Sequence, residues 1–327
     1  MGKLGAIVIG RNEGDRFRRC LDSLLGKAAP IVYVDSGSTD GSIEYAREHG
    51  ADVLALDASV PFTAARARNA GFDRIKELGP DVERVMFVDG DCEVDPEWLP
   101  RAERYLDEHE DYAAVCGRRR ERYPGATVYN YLCDVEWDTP VGDTKSCGGD
   151  AMMRAEAFAA VRGFNPGLIA GEEPELCVRL RGAGWKIRRI DQEMTLHDAD
   201  VTRFSQWWTR MRRGGHAYAE GAAMHGAPPE RHWVKESRRA VMWGLVLPIL
   251  AVAASPFTKG LSLALLLLYP LNLARIARRL SRAGEPRPWT VATFLVLSKF
   301  PEGQGWLRYQ TGRLTGSRSK LIEYKAP

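Results

Sequence analysis

The sequence predicts an α/β protein. A mixed, mostly parallel sheet flanked by helices is followed by a C-terminal helical, membrane-associated region. Three observations carry this. Short apolar runs alternate with segments of helical period through roughly the first 200 residues. Carboxylates close two of those runs. Two long stretches without a charge occur only in the last third. A chain of 327 residues suits two domains, or one large domain with an appendage.

Leu4–Gly10 reads as a buried strand, and Phe17, Leu21, Leu24 and Leu25 follow at helical spacing. Residues 30–35 form a second strand. Ser38 and Thr39 offer a cap for a helix running to about His49, and Gly50 closes it. Residues 53–56 form a third strand and 63–78 a third helix, ended by Gly79-Pro80. Arg84–Asp89 is a fourth strand, and Pro96 opens a fourth helix. This alternation implies parallel strands with helices on both faces, and ligands of such sheets sit at the carboxyl ends of the strands. Asp35 and Asp89 both stand at such ends.

The middle is mixed. A strand at 113–116 leads into the basic stretch 118–122. Gly148-Gly149-Asp150 precedes residues 151–158, which suit a strand or a helix. Glu172–Gly182 has helical character, and 186–190 reads as a strand.

The back differs in charge and hydropathy. Residues 203–327 hold 20 Lys+Arg and 6 Asp+Glu, against 26 and 37 in 1–202, so an acidic front joins a basic back. A basic back suits an anionic partner. Residues 240–257 and 260–274 carry no charge, and as helices they would span roughly 22–27 Å, short against a hydrocarbon core of about 30 Å. Lys235, Arg238 and Arg239 precede the pair and Arg275, Arg278, Arg279 and Arg282 follow it. A hairpin with both basic ends in the cytoplasm satisfies the positive-inside pattern; two buried helices of a soluble bundle are the other reading. Residues 291–297 are too short to span and suit the interface. These features divide the chain into a catalytic region 1–202, amphipathic basic helices 203–239, and a membrane hairpin with a C-terminal interfacial segment 240–327. Six scattered cysteines without a Cys-x-x-Cys pair argue against a disulfide scaffold or a zinc finger.

Several constellations carry chemistry. Phe87-Val88-Asp89-Gly90-Asp91 sets two carboxylates two residues apart at a strand end, where alternate side chains share a face. Asp89 and Asp91 suit one hard cation, and Mg2+ or Mn2+ held by few carboxylates takes phosphate oxygens as further ligands. The same residues also suit a solvated turn. Asp35, opening Asp35-Ser36-Gly37-Ser38-Thr39-Asp40, is placed to accept from a ribose or a base N–H, although that cluster equally suits a cap. Gly10-Arg11-Asn12-Glu13 is either a nucleotide-framing or a surface loop. Arg66 and Arg68 sit early in a helix, suited to an anion or to solvent. Glu172, Glu173 and Glu175 complement a helix dipole around Pro174, and one of them suits a general base. In the back, Gln206, Trp207, Trp208, Arg210, Arg212 and Arg213 interleave aromatic and basic residues as membrane-interface helices do; the arginines also suit a diphosphate.

Taken in order, these motifs resemble glycosyltransferase family 2, which has the GT-A fold. The matching pieces are Arg11-Asn12-Glu13, Asp35 to Gly41, Ala67-Arg68-Asn69-Ala70-Gly71, Asp89-Gly90-Asp91, Gly148-Gly149-Asp150, and Gly171 to Leu180 with Gly184-Trp185. The resemblance covers about residues 4–200. It implies that Arg11, Asn12, Glu13, Asp35, Arg68, Asn69, Asp89, Gly149 and Asp150 hold a UDP- or GDP-sugar. Asp91, Asp89 and His197 would hold Mg2+ or Mn2+. Glu173 falls where the family places its catalytic base, with Glu172 as the alternative. It further implies single displacement with inversion at the anomeric carbon. The spacing around Gln206 does not match the Gln-x-x-Arg-Trp element of processive members, so a polymerising synthase is not expected.

The expectation is therefore an inverting, metal-dependent glycosyltransferase on the cytoplasmic side of the membrane. Its acceptor would be a lipid-linked or envelope glycan, and its back would meet an anionic membrane surface rather than nucleic acid. A polyprenyl-phosphate glycosyltransferase and a non-catalytic nucleotide-sugar or lipid-binding protein are the alternatives.

Overall fold

The structure, a computed structural model, describes residues 4–316, so the end of the expected C-terminal segment lies outside the described residues. The chain divides into two units, Met1–Thr202 and Arg203–Pro327.

The first unit holds β1 (Leu4–Gly10), α1 (Asp15–Leu24), β2 (Ile31–Asp35), α2 (Ser42–Glu48), β3 (Asp52–Ala55), α3 (Ala64–Leu78), β4 (Arg84–Asp89) and β5 (Cys92–Val94). After them come α4 (Trp98–Glu108), β6 (Tyr112–Glu121), α5 (Val128–Trp137), β7 (Gly142–Asp143), β8 (Ala151–Arg154), α6 (Ala155–Ala160), α7 (Glu172–Gly182) and β9 (Lys186–His197). The strands form one sheet in the order β3-β2-β1-β4-β8-β6-β9-β5, with β7 beside β9. β1 to β4 pair in parallel, β8 is antiparallel to β4 and β6, and β6 runs parallel to β9. The sheet is thus mixed and mostly parallel, with helices against it.

The local reasons are legible. β1, β2 and β4 are apolar along their length because both faces are covered. α1 buries Phe17, Cys20, Leu21 and Leu24, one stripe at helical period. Thr63 caps α3 by accepting from Arg66 N at 3.1 Å. Register then aligns the carboxyl ends: Gly10 pairs with Asp35, and Ile9 with Asp89.

Four local readings change. Gly41, at φ 83°, takes the N-cap position of α2 instead of Ser38 or Thr39, and Asp40 just before it accepts from Ser42 N at 3.1 Å. Residues 151–158 are a strand followed by a helix. α5, capped by Thr127, arises in a segment without a strong sequence signal. The basic stretch is the polar end of β6, whose first six residues are buried, and β9 continues past Ile190 to His197, mixing buried with exposed residues rather than running apolar.

The second unit is helical among its described residues. α8 (Phe204–His225) is followed by α9 (Val234–Val241), which continues through a π turn at Met242–Val246 into α10 (Leu247–Ala253). A 3-10 stretch, Leu261–Leu267, runs into α11 (Leu268–Arg282), and α12 (Pro288–Leu297) and α13 (Lys299–Thr315) complete the described part. α8 and α13 cross at glycines. A Cβ on Gly215 would overlap the backbone of Glu302, and one on Gly305 would overlap the Arg212 carbonyl oxygen. Gly305→Val should lower stability by about 1–3 kcal/mol or more, the range for overpacking a filled site. Thermal unfolding of purified protein checks this; an unchanged transition would contradict the packing.

Beside that crossing, His216 is fully buried, edge-on to Tyr309, with its Nδ1 3.6 Å from Glu220 Oε2. Burial pushes the Glu220 carboxyl up to about 7. Burial, and then the charge of Arg308, holds His216 down to about 4. Glu220 therefore contributes most below its unfolded value of 4.5 and loses that contribution as pH rises through 7. His216 contributes above 6.5 and loses its share as pH falls toward 4. Glu220→Gln, which cannot ionise, should raise the melting temperature more at pH 8 than at pH 5, as scanning calorimetry at both values would read.

The expected hairpin region is a helical pair joined by a turn at 254–260. Among the described residues one helix, Leu261–Arg282, is long and apolar enough to cross a membrane. The run at 240–257 is not, because its helix begins in charged α9 and ends at Ala253. Ile249, Val252, Phe257, Leu261, Leu267 and Leu271 are all exposed.

Candidate active site

Three parallel strand ends build the site. Asp35 closes β2 and is buried. Its Oδ1 accepts from Tyr33 Oη at 2.9 Å, and its Oδ2 accepts from Gly37 N at 2.7 Å and Ser38 N at 2.9 Å. Asn12 sits opposite at φ 54°, donating its backbone N–H to Ser38 Oγ and accepting from Thr39 N at 2.7 Å. The two loops are thereby laced together. Arg11 lies exposed with its guanidinium 5.9 Å from the Phe62 ring, and Glu13 pairs with Arg16 at 2.9 Å.

The centre is an ion network drawn from five segments. Arg68 of α3 is buried and donates from Nη2 to Asp89 Oδ1 at 2.6 Å and from Nη1 to Glu172 Oε1 at 2.9 Å. Burial opposes ionisation of Asp89, but Arg68 and then Arg119 outweigh it and hold the carboxyl below the ordinary range. Asp150, fully buried, accepts from Asp89 N at 3.0 Å and Thr195 Oγ1 at 2.8 Å and pairs with Arg119 at 2.9 Å. Gly149 passes so close that a Cβ would lie 2.9 Å from both Arg68 Nη2 and Asp89 Oδ2. A side chain there would push the network apart. Asn69 reaches elsewhere, bonding both the N–H and the carbonyl of Phe164 at 2.8 Å.

β5 and β9 bring Asp91 to His197, with Oδ2 3.0 Å from Nε2 and both side chains buried. The imidazole stacks on Trp137 at 4.7 Å and 20°, and Arg119 lies over the same indole at 5.5 Å. His197 Nδ1 is buried without a hydrogen-bond partner among the described residues. One ring nitrogen thus meets a carboxylate and the other has an unused polar site.

The two glutamates diverge. Glu172 joins the Arg68–Asp89 network. Glu173 is buried, and its Oε1 accepts from Cys147 N at 2.6 Å and Cys177 Sγ at 2.9 Å. Burial raises the Glu173 carboxyl above its usual value. The residue to which the resemblance points first therefore faces Cys147 and Cys177, while Glu172 shares an arginine with the Asp-Gly-Asp motif.

Residues 6–160 match the sequence model of Glycosyl transferase family 2. Residues 6–160 are thus a glycosyltransferase region of the family 2 kind. The chain is 26% identical over 197 residues to the succinoglycan biosynthesis protein ExoA of Rhizobium meliloti, covering 55% of this chain and 58% of that protein. It is 34% identical over 99 residues to the uncharacterized glycosyltransferase YibD of Escherichia coli, covering 29% and 27%. The chain thus spans less than two thirds of either relative. Mannosyltransferase PcManGT from Pyrobaculum calidifontis, solved with GDP-Man and Mn2+, shares the fold, with a TM-score of 0.64 and 20% identity over 93% of this chain and 87% of that one.

In this glycosyltransferase domain, sequence reasoning passed over Arg119 and Trp137. Arg119 lay in a stretch read only as basic. Recognising that stretch as strand would have set Arg119 and Glu121 on one face and the exposed Arg120 on the other. Trp137 had no signal, since its role depends on a stack with a residue 60 positions on.

Proposed function

We propose that this glycosyltransferase moves a sugar from a GDP- or UDP-sugar to a lipid-linked or envelope glycan acceptor, with a divalent cation and inversion at the anomeric carbon. The observation that carries the reading is the continuous network Glu172–Arg68–Asp89 beside the Asp91–His197 pair at the sheet's carboxyl edge. The succinoglycan role of one relative and the GDP-Man and Mn2+ of the structural neighbour agree with it.

The Asp91 carboxylate and the His197 Nε2 it faces, with Asp89 one glycine away, are a donor set that fits Mn2+ or Mg2+, with Asp91, Asp89 and His197 as holders. A cation bound there would supply charge neutralisation to a departing nucleoside diphosphate. Arg68 fixes Asp89 and Glu172 with one guanidinium, so the metal-side carboxylate and the base are set together. Glu172, paired with Arg68, takes the proton of the acceptor hydroxyl as that oxygen attacks the sugar. Arg11, exposed at the end of β1, and the laced loop 36–40 suit the nucleoside.

The apolar hairpin supports membrane attachment. The helix Leu261–Arg282 is long enough to cross, yet its uncharged part, 261–274, which is 3-10 helix to Leu267 and α-helix beyond, extends only about 25 Å against a core of roughly 30 Å, while basic residues flank both ends of the hairpin. A segment entering and leaving on the cytoplasmic side fits these lengths and charges. In a flotation assay the protein should rise with vesicles containing anionic lipid, and Leu267→Lys with Leu271→Lys should leave it in the dense fraction. Flotation of both proteins alike would remove the hairpin from the account.

The function is tested by incubating the protein with GDP- and UDP-sugars, with Mn2+ or with chelator, and measuring free nucleoside diphosphate. Metal-dependent release from at least one donor is expected. Nucleotide binding without release from any donor, with membrane acceptor present, would mark a binding protein instead.

A further inference from the structure

We propose that Cys147, Cys177 and Glu173 form a second metal site, one that takes a thiophilic divalent ion such as Zn2+. These residues come from two places: the loop before β8 and one face of α7, where Glu173 and Cys177 stand four apart. All three are buried. Two sulfurs bound to one tetrahedral zinc at about 2.3 Å lie about 3.8 Å apart, and the Cys147 and Cys177 sulfurs are separated by 3.8 Å. Glu173 Oε1 lies 2.9 Å from the Cys177 sulfur and 3.2 Å from the Cys147 sulfur. Ligand atoms of these three residues fall within 4.8 Å of one another.

The hydrogen bonding points to the same centre. Both thiols and the Cys147 N–H converge on a single carboxylate oxygen. A cation at that point would replace the thiol protons, which leave to solvent as two thiolates and one carboxylate become the ligands. The ion therefore competes with protons, and binding tightens as pH rises. The ion would tie α7 to the loop that carries Gly148-Gly149, the segment against Arg68 and Asp89. The absence of a Cys-x-x-Cys pair conceals this set in the sequence, because its two cysteines are 30 residues apart.

The test uses the full chain, prepared once without chelator for elemental analysis and once stripped and given Co2+ or Zn2+. Expected are one thiophilic ion per chain, a sulfur-to-cobalt charge-transfer band, and a melting temperature raised by Zn2+. Cys177→Ser and, independently, Cys147→Ser should lose the band and the zinc shift. Cys92→Ser should keep both, since Cys92 adjoins Asp91 and His197 instead. A stripped protein that folds yet shows neither band nor zinc shift would overturn the proposal. So would a band lost with Cys92→Ser but kept with Cys177→Ser, or a Cys147–Cys177 disulfide found by non-reducing peptide mapping.

Discussion

Asp91→Asn should sharply reduce metal-dependent turnover while leaving the fold intact. Asp91 is buried, faces His197 at 3.0 Å, and stands one glycine from Asp89. Asparagine keeps the size and a hydrogen bond to the imidazole, so packing changes little. It removes the negative charge that a hard cation needs from its carboxylate. Metal-ion stabilisation of developing charge is worth several kcal/mol, and each 1.36 kcal/mol is tenfold in rate, so turnover should fall by roughly 10²–10⁴. Donor-hydrolysis rates across a Mn2+ series, with the thermal transition as a folding control, give the answer. If Asp91→Asn keeps wild-type turnover at low Mn2+, the carboxylate is not a metal ligand.

The two adjacent glutamates should separate cleanly. Glu172→Gln keeps a hydrogen-bonding group beside Arg68 but cannot take a proton, so kcat should drop by about 10²–10⁴, the usual contribution of a general base. Nucleotide affinity should stay within a few fold, because Asp89 and Arg68 remain paired. Glu173→Gln alters a buried carboxylate that receives Cys147 N and two thiols. Its NH2 group faces donors where the carboxylate had only acceptors, and an unsatisfied buried polar group costs about 1–3 kcal/mol. Lower thermal stability with kcat largely retained is the expected signature. Measuring kcat, nucleotide Kd and melting temperature on both variants distinguishes the roles; the reverse pattern would assign the base to Glu173.

How much of this was legible in the sequence follows from what sets each feature. Strand ends at Asp35 and Asp89 show locally, because a buried parallel strand is a continuous apolar run closed by a polar residue. The hairpin pattern shows for the same reason, as an unbroken absence of charge. Arg68 and Glu172 are 104 residues apart, and nothing local announces that they share an ion pair. The same holds for Asp91 with His197, whose meeting depends on β5 pairing with β9. Choosing between Glu172 and Glu173 needs the direction of each side chain at the first turn of α7, which helical period alone does not give. Asp150, Asn12 and Asn69, expected at the nucleotide, are engaged in holding strand ends and loops together.

The central claim is that Asp91 and His197, with Asp89 held by Arg68, clasp a divalent cation at the diphosphate of a bound nucleotide-sugar. Crystals soaked with Mn2+ and GDP or UDP, measured for anomalous scattering, test it most directly. The account predicts a manganese peak within coordinating distance of Asp91 and His197, with diphosphate oxygens completing its shell. A nucleotide bound with manganese elsewhere, and Asp91 still paired only to His197, would contradict it.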